Sequence, residues 1–375
     1  MTSAPTNDQK PVVPRARRYS FAWDTEVFTI WYPNLLGTQI LNAYTLVFPV
    51  FERLMIKWVG EAARDIRSEE LRARIAGFVA QEAGHAHQHG LGSELLQQQG
   101  YRTEGFTRSV HFLTWGCLDK VIGILPRRLR NGVRVAMCAA GEHWTTILAT
   151  ATLVAVPGGI PMGPMSRLYA WHGLEEIEHK SVVFDLLHEL SPSYLLRLWS
   201  FLVWTACFVT VSGLGTLLLL LQLKPKYLFS WWLAQDTLGY LFTREAMFWH
   251  GVRGFFSYLK PSYHPDQYPT AEATRIAQAC LDDSRVYDEA AIIKAAFQDE
   301  EMLSTLNVVL RQGKSRSQRE LLEQLRHDAA GRSQLAALAL ADPTTALHMT
   351  EPLVRSPHSR TRGTRSADLV DSPLS

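Results

Sequence analysis

From Leu35 to about Leu190 the apolar residues recur at spacings of three and four, the repeat of helices that bury one face. No stretch alternates convincingly with the period of two that a half-buried strand requires, so the chain reads as all-α. Glycine and proline interrupt the pattern at Gly100, at Gly105, around Pro126 and at the turn Pro157-Gly-Gly-Ile-Pro161. The breaks predict four long helices, carrying in turn FPVFERLMI, FVAQEAGHAHQH, AAGEHWTT and WHGLEEIEHK. A shorter helix near 109–124 joins the second to the third, which gives a four-helix bundle with one long crossover. Pro49 is expected to begin or kink the first helix close to Glu52.

Next come the 26 residues from Leu198 to Leu223, with no charge between Arg197 and Lys224. They are long enough to cross a bilayer, and a helix buried against the bundle or lying at an interface would carry the same pattern. Tyr227 to Phe242 is apolar and Trp-rich but short, and it contains Asp236, which fits a re-entrant or interfacial segment. Basic residues flank both ends of the longer stretch and leave its orientation open. After the Pro261-Ser-Tyr-His-Pro265 loop the pattern is helical to about residue 340. The expected organisation is a disordered basic arm (1–19), a bundle (20–192), a hydrophobic helical segment (193–256), a C-terminal helical region (257–342) and an unfolded tail rich in Ser, Thr, Pro and Arg (343–375).

Composition narrows the function. A hydrophobic share of 47% supports a substantial core, and a formal charge of +2 excludes a general electrostatic platform for nucleic acid. Cys117, Cys138, Cys207 and Cys280 are scattered without a CxxC pair, and the N-terminus lacks the apolar stretch of a secretory signal. Both point to a reducing, cytoplasmic setting, with association at the inner face of a membrane through the apolar segment.

The chemistry sits in the four helices. Glu82-Ala-Gly-His85 and Glu176-Ile-Glu-His179 are both Glu-x-x-His, and each follows a lone glutamate in an apolar helix, Glu52 and Glu142. At about 100° per residue, Glu176 and His179 share a face with His172, whereas Glu178 turns away. A carboxylate facing a bundle core without a partner costs on the order of several kcal/mol, so four of them require compensating cations. The order E, ExxH, E, ExxH in a bundle is that of proteins holding two iron or manganese ions between carboxylates. The expected ligands are Glu52, Glu82, His85, Glu142, His172, Glu176 and His179. His89 is a further ligand or a donor behind one, and Glu175 is an alternative to Glu176 through its i,i+4 relation to His179. Thr145 and Thr146 stand beside Glu142 as candidates to touch the ligands from outside. His87 points elsewhere, and His143 is expected to make a structural hydrogen bond.

The stretches FPVFERLMIKWV, QEAGHAHQH, GEHWTT, WHGLEEIEHKSVVFDL and YLKPSYHPD resemble a bacterial family labelled "predicted metal-dependent hydrolase", within the ferritin-like superfamily, over roughly residues 25 to 270. FPVFER looks like a variant of that family's FPxGER, with Phe51 where glycine is usual. A more distant similarity, carried by His172 alone, is to p-aminobenzoate N-oxygenase and related di-iron arylamine oxygenases.

Three functions compete. The ligand set, rich in oxygen and nitrogen and without thiolate, favours a di-iron oxygenase or oxidase that takes dioxygen, an electron donor and a small hydrophobic organic substrate. The alternative is a two-metal hydrolase that activates water towards an ester or phosphoester, as the family label implies. The third is a non-catalytic metal-binding protein. The cofactor is two divalent ions, iron first and manganese or zinc as substitutes; nucleic acid is not a partner, and membrane contact and a homodimer stay open.

Overall fold

Every regular element among the described residues is a helix, as the spacing of apolar positions requires. The computed structural model describes residues 13–17, 21, 23, 31–32, 35–154, 163–242 and 247–282. In chain order the elements are α1 (Leu35–Ala62), α2 (Glu69–Gln98), α3 (Glu104–His111), a π-helical stretch (Phe112–Leu118), α4 (Asp119–Gly123), α5 (Arg127–Val154) and α6 (Gly163–His179). Beyond them lie α7 (Val182–Leu190), α8 (Tyr194–Leu221), α9 (Pro225–Leu228), α10 (Trp231–Phe242), α11 (Met247–Tyr258) and α12 (Ala271–Asp282).

The long helices close a ring: α1 packs on α2, α5 on α6, and the pairs meet through α1 with α5 and α2 with α6. Local chemistry sets their ends. Ser68 caps α2 by accepting the Leu71 N–H, and Gly100, at φ 97°, ends it in the left-handed conformation that glycine adopts without a Cβ penalty. Pro49 neither begins nor ends α1 but lies inside it. A proline has no N–H for the carbonyl four residues back, and here that carbonyl, on Thr45, accepts the Ser93 hydroxyl of α2 at 3.1 Å. The missing bond becomes a tie between two ligand-bearing helices.

Two readings from the sequence change. The helical pattern that runs to Leu190 is two helices in space, since α6 stops at His179 and a turn at Lys180 and Ser181 precedes α7. Arg74 of α2 fixes that corner by donating to Ser181 Oγ at 2.9 Å and to Asp185 at 2.6 Å. Within the arm expected to be disordered, residues 13–17 lie against the bundle. A Cβ on Gly77 would stand 2.2 Å from the Pro14 carbonyl oxygen, so the arm reaches α2 only because that residue is glycine. The other arm residues named above, the helical region past 282 and the tail fall outside the described residues, apart from Phe21 and Trp23 beside the arm.

Among the described residues, α8 is the one helix long and apolar enough to cross a membrane. It packs along α1 and α5 through a stripe that includes Phe201, Trp204, Phe208, Gly215 and Leu219, with Leu195, Trp199, Leu214 and Leu221 exposed on its other faces. Phe51, the departure from the usual glycine, sets its ring edge-on to Trp204 of α8, at 5.0 Å between centroids. Arg197 pins the YLKPSYHPD loop by donating to the carbonyls of Lys260 at 2.6 Å and Tyr263 at 3.3 Å.

The connection from α2 to α5 is held by Asp119, whose carboxylate accepts hydrogen bonds from Lys57, from Trp58 Nε1 at 2.7 Å and from Arg134. Burial alone would raise this acid, but the hydrogen bonds from Lys57 and Trp58 and the charge of Arg134 hold it below the ordinary aspartate value. An acid depressed in the fold stabilises it above the unfolded pKa of about 3.9, and that contribution is lost as pH falls through the folded value. Asp119→Asn should therefore cost roughly 2 kcal/mol in urea denaturation at neutral pH, with a smaller difference from the parent in strong acid.

Candidate metal centre

Each of the four ring helices supplies acid to the interior. Glu52 comes from α1 and Glu142 from α5, while α2 brings Glu82 and His85 on one face and α6 brings His172, Glu176 and His179 on one face. None of these seven residues is more than 3% exposed. His179 Nε2 lies 3.1 Å from Glu142, 3.3 Å from Glu176 and 3.4 Å from Glu82. His85 Nδ1 lies 3.2 Å from Glu82 and 3.5 Å from Glu176. His172 Nε2 is 2.6 Å from Glu176 and 3.8 Å from Glu52.

The donors divide into two groups that share members. Ligand atoms of Glu82, Glu142, Glu176 and His179 lie within 4.8 Å of one another, and so do those of Glu52, Glu82 and His85. His172 falls with the second side, grouping with Glu52 and His89 and also with His85 and Glu176. Glu82 and Glu176 thus stand between two potential cation positions, with Glu142 and His179 on one side and Glu52, His85 and His172 on the other.

Behind the inner ring is a set of outer partners. The residue preceding each ExxH glutamate reaches across to the histidine of the other copy. Glu175 accepts from His85 Nε2 at 3.1 Å, and Gln81 Oε1 accepts from His179 Nδ1 at 2.9 Å. Each bond engages the outer ring nitrogen, which leaves His85 Nδ1 and His179 Nε2 directed at the inner carboxylates. His89 Nε2 meets His172 Nδ1 at 2.6 Å and completes a third such pair. Thr145 Oγ1 donates to Glu176 at 2.5 Å.

Two candidate contacts are not made in this arrangement, and two partners were not anticipated from the sequence. Glu175 does not take Glu176's place in the inner ring, because its carboxylate is committed to His85, to Trp171 Nε1 at 3.1 Å and to the Arg17 N–H at 2.8 Å. Thr146 does not touch the carboxylates, since its hydroxyl donates to the Glu142 carbonyl at 2.8 Å. Gln81 and Arg17 were missed. A signal for Gln81 existed in the polar residue that precedes the glutamate in both motif copies, Gln81-Glu82 and Glu175-Glu176. Arg17 has no such signal; it forks onto the half-buried Glu178 at 2.7 and 2.5 Å, a contact between segments far apart in the chain. His87 is exposed. His143 donates from Nε2 to the Gly254 carbonyl at 2.9 Å and accepts from the Tyr263 hydroxyl at 2.6 Å, and burial takes its pKa down to about 4.

Electrostatics test whether these residues fit cations. Both carboxylate oxygens of Glu52 and of Glu142, and one of Glu82, are buried without a hydrogen-bond partner. Burial first, then the charge of Glu176, pushes Glu82 and Glu142 up to about 8; burial and the neighbouring glutamates likewise hold Glu52 well above the ordinary glutamate value. Burial would raise Glu176 too, but His179 and His172 hold it well below the usual range, and Glu176 and Glu142 in turn raise His179 against its own burial. Acids set this close without donors are satisfied by positive charge between them, so the cluster fits divalent cations.

Residues 15–268 match the family described as "predicted metal-dependent hydrolase". The chain belongs to this family. The matched span reaches further toward the N-terminus than the motifs alone indicate, and it includes Arg17, the whole cluster and the loop pinned by Arg197. No curated protein and no solved structure matches the chain. Family membership supplies metal dependence, and the buried Glu and His groups supply a place for the metal.

Two outcomes follow for this family member. Glu175→Ala should weaken manganese or zinc binding about 10–100-fold in equilibrium dialysis without removing an inner carboxylate, whereas Glu178→Ala should leave the stoichiometry unchanged. Glu82 and Glu142, protonated to about pH 8 in the cation-free fold, ionise near 4.3 when unfolded, so cation-free stability falls as pH rises across that interval. Cations remove this penalty, and the rise in Tm on adding manganese should be greater at pH 8 than at pH 6.

Proposed function

We propose that this protein is an enzyme that works through two divalent cations held between α1, α2, α5 and α6, in a bundle of ferritin-like type. The observation that carries the reading is the set of buried, unpartnered carboxylate oxygens on Glu52, Glu82 and Glu142 around shared neighbours. The reaction best supported by the family description is hydrolysis of an ester or phosphoester. A cavity of about 20 Å³ bordering Glu176, His172 and Thr145 has room for a water beside the centre, which suits a water nucleophile.

When bound, the cation pair supplies water activation and polarisation of a carbonyl or phosphoryl oxygen, or, as iron, reductive activation of dioxygen. The chain's own residues do the rest. Glu52, Glu82, Glu142 and Glu176 would hold the cations and balance their charge, Glu82 and Glu176 being members of more than one of the donor groups. His85, His172 and His179 would offer ring nitrogen to the cations, and Glu175, His89 and Gln81 hold the rings in orientation. Thr145 fixes one oxygen of Glu176. Phe48, Phe78 and Trp171 set ring edges against the histidines at 4.9 to 5.2 Å and keep bulk water out.

A second reading, a di-iron oxygenase, is favoured by the donor set itself. Four carboxylates with three inner histidines and no thiolate in an all-helical ring are the usual surroundings of oxygen-activating iron, an argument by analogy of architecture. Metal analysis of anaerobically purified protein, followed by air, separates the two. Hydrolysis predicts two zinc or manganese ions per chain, metal-dependent cleavage of a chromogenic ester and no spectral response to oxygen. Oxidation predicts two irons and a new visible absorption band. Full metal retention in both Glu82→Ala and Glu176→Ala would overturn the shared centre.

A further inference from the structure

The metal-side cavity is too small for an organic substrate, yet it adjoins a much larger space. Between α8 and α11, floored by α1 and α5, lies a groove of about 550 Å³, within the range of small-molecule sites. Tyr44 and Leu148 line both the groove and the cavity that touches Glu176 and His172, so these two side chains are the partition between them. Tyr44 stacks on Phe48 at 5.6 Å and on Phe208 at 5.4 Å, and Phe48 meets His172 edge-on at 5.2 Å. A continuous aromatic path therefore leads from the groove wall to an inner histidine.

The lining states what the groove takes. Phe208, Val209, Leu217 and Leu220 of α8 face Phe248, Val252, Phe255 and Phe256 of α11. Thr216 spends its hydroxyl on the Ser212 carbonyl at 2.9 Å, which leaves its methyl as lining. Ser212 also borders the groove, and its Oγ is buried without a hydrogen-bond partner. From Phe208 to Leu220 the helix rises about 18 Å, the length of an extended chain of on the order of a dozen carbons. Val209, Leu217 and Phe256 are half or more exposed, so the mouth itself is apolar.

We propose that this groove holds the aliphatic chain of an amphiphilic substrate and directs the reacting end past Tyr44 and Leu148 to the metal-side cavity. The inference rests on the two-cation reading above. Its test is titration of the full chain with a dansyl-labelled fatty acid, displaced by dodecanoate and by hexanoate. Saturable one-to-one binding is expected, with dodecanoate displacing far better. Gly213 lines the groove, and a Cβ there meets nothing within 4 Å, so Gly213→Trp should fill the space without disturbing the helix. That variant should raise the Kd about tenfold or more while metal content and circular dichroism stay at parental values. Thr216→Trp should do the same. Binding unchanged in both tryptophan variants, or indifferent to chain length, would mean adsorption to the exposed face of α8 and would overturn the proposal.

Glu176→Ala, which removes an inner carboxylate, should still bind the probe, so loss of the metal centre and loss of the groove are read separately. In manganese-loaded protein the relaxation of bound dodecanoate protons should be enhanced in a gradient along the chain, strongest at one end. Absence of that gradient in protein that has taken up manganese would break the link between groove and centre. Failure to take up manganese would instead count against the two-cation reading.

Discussion

Mutual repulsion of acids in a medium that barely screens them is the constraint on which this molecule is built. Glu52, Glu82, Glu142 and Glu176 meet where water is excluded, and most of their oxygens receive no hydrogen bond from the protein. Left alone, the cluster takes up protons, as the elevated Glu82 and Glu142 record. A ring of four helices brings such groups together only if something favourable compensates, and cations between them would do so at the geometry already present. Much of the surrounding architecture keeps those helices at the distance this requires: the Thr45–Ser93 tie of α1 to α2, the Arg74 corner after α6 and the Asp119 clasp on the connection.

The outer partners give the centre its rigidity in a way that couples the two motif copies. Gln81 and Glu175 occupy equivalent positions, one residue before the glutamate, and each serves the other copy's histidine. Neither α2 nor α6 can therefore rotate without misaligning a ring on its neighbour. The N-terminal arm adds a third element to this brace, because Arg17 bonds Glu175 through its backbone and Glu178 through its guanidinium. Glu178, which the helix phase sends away from the inner acids, is thereby a fastening for the arm.

The helical repeat made much of this legible in advance. Two ExxH copies with upstream glutamates sufficed to name the residues that the fold brings together, since side chains three and four apart share a helix face wherever the helix lies. What the repeat does not encode is which helix stands opposite. Glu175 is four residues from His179, so from sequence it competes with Glu176, and only the position of α2 assigns it to His85 instead. Pro49 reads as a start or a kink of the helix until Ser93 is seen to bond the carbonyl it leaves free. The break after His179 carries no glycine or proline and depends on Arg74, more than a hundred residues away. Composition likewise left α8 undecided, because a helix apolar all round offers no phase by which to tell a docked stripe from a free one.

The placement of α8 bears on function more than its resemblance to a membrane span does. One stripe is spent on α1 and α5, including the Phe51–Trp204 contact, and its ends are tied through Arg197 to the loop at Lys260 and through Gln222 to the backbone of Arg102. A helix anchored in this way keeps a fixed distance from the centre and offers α11 a second wall. The small space beside Glu176 has room for a water, and Tyr44 and Leu148 line both it and the larger groove. Hydrolysis and oxidation would make the same demand of those two side chains, which stand between the groove and the space beside Glu176. On the reading proposed above, the ions would set the chemistry and the apolar helices α8 and α11 would choose the substrate.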